Sequence, residues 1–262
     1  MSIMVVQLVP EGILLGADRN ITVSVQDANV VYSGQTPRPK VLKWPNRQIV
    51  VGYVGRAEVD GQPADEWLYD FIGRNLEDEL PQIAHNLKDK LEFDLRKSAD
   101  HAGMIVHLCG FTQLDGQWKP QVWFIRNAHG MNETGYTDVR AEFSVSEELQ
   151  SHFQVLNGNE IRSMARERAK SWQPVWFHQG YDLGTFNMLD ALVRQAMQAI
   201  VETHPGHPHA FPADLSEWSK HLKMAVLTYG AYFSAFHEPF MQYVGGGCDV
   251  VWAEWPKTDP ID

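Results

Sequence analysis

Two apolar runs at the start of the chain constrain its fold more than any other feature. Ser2-Ile3-Met4-Val5-Val6-Gln7-Leu8-Val9 is almost unbroken in hydrophobicity, halts at Pro10-Glu11-Gly12, and resumes as Ile13-Leu14-Leu15-Gly16-Ala17-Asp18. A strand with one wet face alternates apolar and polar residues, so runs this apolar around a Pro/Gly turn predict a hairpin covered on both faces. A second pair follows the polar stretch from Gln26 to Pro39: Lys40-Val41-Leu42-Lys43-Trp44, a turn at Pro45-Asn46-Arg47, then Gln48 to Val54.

The rest of the chain supplies the covering layers. After Pro63, Trp67, Leu68, Phe71, Ile72 and Leu76 recur on one helical face, and beyond Pro81 the same holds for Ile83, Leu87, Leu91 and Leu95. Met104–Phe111 and Gln121–Ile125 predict another strand pair turning near Asp115-Gly116, and residues 139–160 predict strand and loop. Leu189, Leu192, Val193, Ala196 and Ile200 form a helical stripe, and a further helix is expected from about Leu215 to Phe236. Gly245-Gly246-Gly247-Cys248 leads into a last strand. Helices packed on sheets in layers follow from this order. No Pro-, Gly- or Ser-rich linker divides the halves, which predicts one domain over residues 1–262, with a helical, His-rich insertion around 204–218.

Composition narrows the function classes. With 262 residues, 44% hydrophobic and 21% charged, the chain has ample material for a core and is not a disordered, fibrous or coiled-coil sequence. A net charge of −11 argues against nucleic-acid binding, which needs a basic face. Two cysteines, Cys109 and Cys248, make no disulfide framework and fit a reducing compartment. No apolar run approaches a membrane span of about 18 residues, and Met1-Ser2-Ile3-Met4 lacks the marks of a signal peptide. A cytoplasmic location is the expectation.

Hairpin register then brings polar residues together. With Pro10-Glu11 as the turn, Val9 faces Gly12 and Asp18 lies opposite Ile3, beside Ser2. With Trp44 facing Arg47, Lys40 lies opposite Val51, next to Gly52. Burying Asp and Lys in apolar runs is costly unless they pair. Removal of Met1, expected where the second residue is as small as serine, would leave Ser2 with a free α-amino group of pKa about 7.7–8.0. Such an amine can take the proton of its own hydroxyl near neutral pH. Lys40 beside that hydroxyl would stabilise the alkoxide, Asp18 would orient Lys40, and the Gly52 N–H could meet an oxyanion. From spacing alone the plainer roles stay open: Asp18 as a strand-end cap and Lys40 as a solvated residue after Pro39.

These same residues resemble a known family. Ser2-Ile3 through Gly16-Ala17-Asp18, then Thr22, Lys40 and Gly52-Tyr53-Val54-Gly55-Arg56-Ala57, resemble the N-terminal third of proteasome β subunits and their bacterial relatives; Val244 to Val251 looks like the family's glycine-rich lead-in to its final strand. The family consists of N-terminal nucleophile hydrolases. The resemblance implies an α+β fold, a four-layer α-β-β-α sandwich of two antiparallel sheets. It implies Ser2 as nucleophile with its own amine as base, Asp18 and Lys40 as its partners, and Gly52 as oxyanion donor. Thr22 would hold an extended substrate and Val50 would floor the pocket for an apolar side chain. A proteasome-type peptidase acting on peptide or protein substrates follows, in a ring-like homo-oligomer with room for an unfoldase partner, and with no cofactor or metal. Alternatives are a catalytically inactive scaffold subunit or an amidase acting on a small amide. The chain departs from the pattern in having serine for threonine, Arg19 directly after the aspartate, and Met241 and Val244 where a supporting aspartate and serine are expected.

Other candidates read more plainly. His204, His207 and His209 have metal-compatible spacing but lie among prolines and a glycine, as a solvated loop would. Cys248 reads as a buried structural thiol. Trp67, Trp172, Trp176 and Trp218 suit a core or a subunit contact.

Overall fold

A computed structural model describes residues 2–19, 38–44, 47–96, 103–114, 116–132, 135–153, 157–180, 183–204, 212–236 and 247–257. The first hairpin is β1 (Ile3–Val9) and β2 (Gly12–Asp18), and the second is β3 (Val41–Trp44) and β4 (Ile49–Gly55). A two-residue pair, β5 (Glu58–Val59) and β6 (Gln62–Pro63), leads into α1 (Ala64–Arg74) and α2 (Leu80–Leu95). Next come β7 (Met104–Leu114), β8 (Gln117–Ala128), the short pair β9 (Met131–Asn132) and β10 (Gly135–Tyr136), and β11 (Val139–Glu147). The remainder is α3 (Glu148–His152), α4 (Gly158–Lys170), β12 (Val175–Gly180), α5 (Leu183–Thr203), α6 (Leu215–Phe236) and β13 (Cys248–Glu254).

Two antiparallel sheets dominate. One has the order β12-β1-β2-β13 and the other β11-β8-β7-β4-β3. The alternation of side chains along each strand explains the unbroken apolar runs. Met4, Val6 and Leu8 of β1 and Ile13 and Leu15 of β2 share one cluster with Val50 and Val54 of β4 and Cys109 of β7, so this face of each sheet meets the other. The opposite face of β1, Ile3, Val5 and Val9, packs with Trp218, Leu222, Val226 and Tyr229 of α6 and Phe186 of α5. On the other sheet, Val51, Tyr53, Val106 and Leu108 pack with Trp67, Leu68 and Ile72 of α1 and Ile83, Leu87 and Leu91 of α2. Strands β1 and β4 are thereby covered on both sides.

The helices after Pro63 and Pro81, the Met104 hairpin and the helix ending at Phe236 stand where the periodicity predicts. The expectation of strand and loop over residues 139–160 holds for β11 but not beyond it, where α3 and the first turn of α4 are helical; the rest of α4, β12 and the short pairs β5–β6 and β9–β10 carry no sequence-based assignment. Helix α4 announces itself by a capping box: Asn157 Oδ1 accepts from the Glu160 N–H at 3.0 Å, and Glu160 Oε2 accepts from the Asn157 N–H at 2.7 Å. Strand β12 pairs with β1 over Ile3–Leu8, completing the cover of its edge. Among the described residues no helix is long and apolar enough to cross a membrane.

Candidate active site

The first hairpin has the expected register, Val9 opposite Gly12 and Met4 opposite Ala17. Asp18 therefore ends β2 beside the start of β1, and the Ile3 N–H donates to Asp18 Oδ1 at 2.9 Å. The second hairpin differs. Trp44 lies opposite Ile49, and Val41 opposite Gly52, a slip of two residues from the expected pairing. The connection is longer than a two-residue turn: the Arg47 N–H donates to the Trp44 carbonyl, and the Ile49 N–H to that of Arg47. An even slip preserves which face each side chain takes. Lys40 now stands opposite Tyr53, whose N–H donates to the Lys40 carbonyl at 3.0 Å.

Three polar side chains converge at this end of the sheets. Lys40 Nζ donates to Ser2 Oγ at 2.6 Å and to Asp18 Oδ2 and Oδ1 at 3.1 and 3.2 Å. Ser2 is 8%, Lys40 3% and Asp18 1% exposed. A charged pair so enclosed is strongly coupled to whatever hydroxyl it touches, because little water screens it. Burial pushes the Lys40 ammonium below the ordinary lysine range, and the neighbouring Asp18 charge only partly opposes this. An ammonium against a hydroxyl stabilises the alkoxide, and a lysine with lowered pKa is more often neutral near neutral pH, the form that can accept a proton.

The surroundings add charge and shape. Tyr136 packs against the backbone of Gly55 and Gly103, and burial together with the Asp18 charge keeps its phenol protonated. Cys248 lies opposite Asp18 on β13; burial and the Asp18 and Asp249 charges push its thiol up to about 12, so it remains an unreactive thiol. Arg19 donates to Asp249, tying the end of β2 to β13. Arg38, two residues before Lys40, forks onto Asp65 of α1 at 3.0–3.2 Å and also reaches Glu66, contacts that the sequence reading does not single out.

The remaining named residues divide. Val50 is fully buried in the cluster between the sheets. A Cβ on Gly52 would lie 2.7 Å from Met4 Sδ, 3.0 Å from Leu15 Cδ2 and 3.1 Å from Val41 Cγ1, so a side chain there would force its neighbours, Met4 first, to shift. Thr22, Met241, Val244, Gly245, Gly246, His207 and His209 lie outside the described residues. His204 is exposed, with Nδ1 2.9 Å from Thr203 Oγ1. Among the described residues no group of three His, Cys, Asp or Glu side chains is placed to hold a metal ion. Trp67, Trp172 and Trp218 are buried, the last two with ring centroids 6.0 Å apart, which places them in the core.

No protein-family model matches this chain, and no curated protein matches it. Solved structures do. The chain is similar to Anbu (ancestral beta-subunit) from Yersinia bercovieri at 12% identity, covering 96% of this chain and 82% of that one, with a TM-score of 0.45. It is similar to an Anbu mutant from Hyphomicrobium sp. strain MC1 at 12% identity, covering 97% and 82%, with a TM-score of 0.42. It is also similar to Thiobacillus denitrificans BPH in complex with epoxomicin, at 12% identity over 98% and 100% of the two chains, with a TM-score of 0.42.

Proposed function

We propose that this chain is an N-terminal nucleophile hydrolase of proteasome type, cleaving peptide bonds with Ser2 once Met1 has been removed. The observation that carries the reading is the contact of Lys40 Nζ with both Ser2 Oγ and Asp18, three side chains each less than a tenth exposed. A buried lysine and aspartate joined to one hydroxyl at the chain's second residue is a costly arrangement for a mere strand end.

In this reading the Ser2 α-amine takes the hydroxyl proton as Oγ attacks the substrate carbonyl. Lys40 holds the developing charge on Oγ, and Asp18 keeps Lys40 oriented. Gly52 is the proposed oxyanion donor, Thr22 the contact to an extended substrate, and Val50 the floor of an apolar specificity pocket. The α-ammonium then protonates the leaving amine as the tetrahedral adduct collapses to an acyl-serine, which water hydrolyses with the amine again as base. The three hydrophobic clusters support a single domain of two facing sheets between helix layers. A ring-like homo-oligomer that encloses the sites, with or without an unfoldase, belongs to the same proposal.

The lowered Lys40 pKa favours a second route in which the neutral lysine amine takes the Ser2 proton, without need of the α-amine. Intact mass separates the two: hydrolysis only in protein lacking Met1 supports the first, and hydrolysis in full-length protein the second. Under either, Ser2→Ala abolishes peptide hydrolysis and labelling by hydroxyl-directed electrophiles, while the fold is retained. Hydrolysis undiminished in Ser2→Ala would refute both.

A further inference from the structure

The Arg38 guanidinium reaches across from the segment before β3 to the first turn of α1. Its Nε lies 3.0 and 3.2 Å from the two Asp65 oxygens, its Nη2 lies 3.1 Å from Asp65 Oδ2, and Nη2 also donates to Glu66. Asp65 is only 6% exposed. A planar fork on two carboxylates fixes direction as well as distance, which a lysine in its place would not. Only Pro39 separates this fork from Lys40. A proline ring locks its own φ and restricts the residue before it, so the step from Arg38 to Lys40 is stiff. On the far side, the Lys40 carbonyl is held by the Tyr53 N–H at 3.0 Å. The backbone of Lys40 is thus pinned from two elements, β4 directly and α1 through Arg38.

We propose that the Arg38–Asp65–Glu66 clamp is the positioning device that holds the Lys40 ammonium against Ser2 Oγ and Asp18. The inference rests on the reading of Ser2, Asp18 and Lys40 as the catalytic group. Arg38 itself touches none of the three in the hydrogen bonds described, and acts through the two-residue strut that follows it. Aligning the ammonium to 2.6 Å from Oγ matters because a misplacement of about 1 Å by a distant mutation can cost roughly 100-fold in rate.

The test uses the full chain with Arg38→Ala and, as a milder break, Asp65→Asn. The kcat for peptide hydrolysis is expected to fall on the order of 10- to 100-fold with KM within about twofold, the pattern of lost alignment rather than lost substrate binding. Arg38→Lys is expected to recover only part of that loss, since it keeps the charge but not the fork. A second readout does not depend on turnover: acylation of the Lys40 ε-amine by acetic anhydride, followed by peptide mass mapping, is expected to speed up several-fold in Arg38→Ala as the amine leaves its enclosed position. Unchanged kcat and unchanged Lys40 acylation in Asp65→Asn, in protein with wild-type circular dichroism, would overturn the clamp. If Ser2→Ala leaves hydrolysis intact but Lys40 acylation still responds to Arg38→Ala, the functional reading falls and the structural coupling stands. If neither variant folds, Glu66→Gln, which removes a single arm, is read by the same two measurements.

Discussion

The first strand carries two buried polar sites that are built in opposite ways. At its start, Ser2 belongs to a network in which the hydroxyl, the ammonium and both carboxylate oxygens are all bonded. Five residues on, Gln7 is 1% exposed, yet its Oε1 accepts no hydrogen bond among the described residues. Its cross-strand neighbour Trp176 likewise leaves Nε1 without an acceptor among them. Both line a cavity with Trp172, Asp190, Arg194 and His221. An unsatisfied buried polar group costs roughly 1–3 kcal/mol, whereas a bonded ion pair offsets most of its desolvation while both partners are present. The contrast teaches that burial alone does not mark a site; burial with every polar atom engaged by groups brought from separate elements does.

The largest effect expected from breaking this contrast is at Lys40. Lys40→Met leaves Asp18 enclosed without its counter-charge and should destabilise the fold by about 3–5 kcal/mol, as removal of one buried partner does, besides abolishing hydrolysis. Denaturant midpoints measure it; a loss well under 1 kcal/mol would mean that the pair is not enclosed in solution. The pH dependence sharpens the same point. Burial holds the folded Lys40 below its ordinary value of 10.5, so between the lowered value and 10.5 the unfolded chain binds more protons and stability rises with pH. Raised phenol pKa values at Tyr53 and Tyr136 act in the opposite sense above about 10, and the difference between wild type and Lys40→Met cancels them. A wild-type-minus-variant curve that falls with pH across that window would contradict the direction given for Lys40.

An intermediate effect is expected at Gly52. Gly52→Ala forces a methyl against Met4, Leu15 and Val41, and overpacking of this kind costs about 1–3 kcal/mol. Thermal unfolding at matched concentration reads it, and an unchanged midpoint would show that the flexible Met4 side chain simply moves aside. The smallest effect has the opposite sign. Gln7→Leu replaces a polar atom without a partner by a side chain of similar size, and should raise stability by about 1 kcal/mol. A loss there would show that Gln7 Oε1 is engaged after all, and the contrast between the two ends of β1 would narrow.

Legibility in the sequence followed the locality of the signal. The first hairpin could be read to the residue because Pro10-Glu11-Gly12 marks a two-residue turn between runs that allow no other register. The second could not, because a charged, polar turn does not declare its length; the slip of two left the facing of Lys40 and Gly52 intact, since pleating repeats every two residues. Helix α4 had a readable capping box at Asn157 and Glu160, but a weakly apolar face that periodicity passes over. Strand β12 is short, and its partner β1 lies far away in sequence, so pairing alone declares it.

The order of apolar runs, glycines and helical stripes was enough to determine helices layered on sheets, two hairpins, and cover on both faces of the first. That follows from local rules, the two-residue pleat and the 3.6-residue turn, which each segment obeys by itself. That Ser2, Asp18 and Lys40 touch, and that Arg38 reaches α1 beside them, was decided only when separate elements packed together. Contacts between residues 22 to 38 positions apart depend on the chain's return path and on which sheet face meets which, and no local periodicity encodes either.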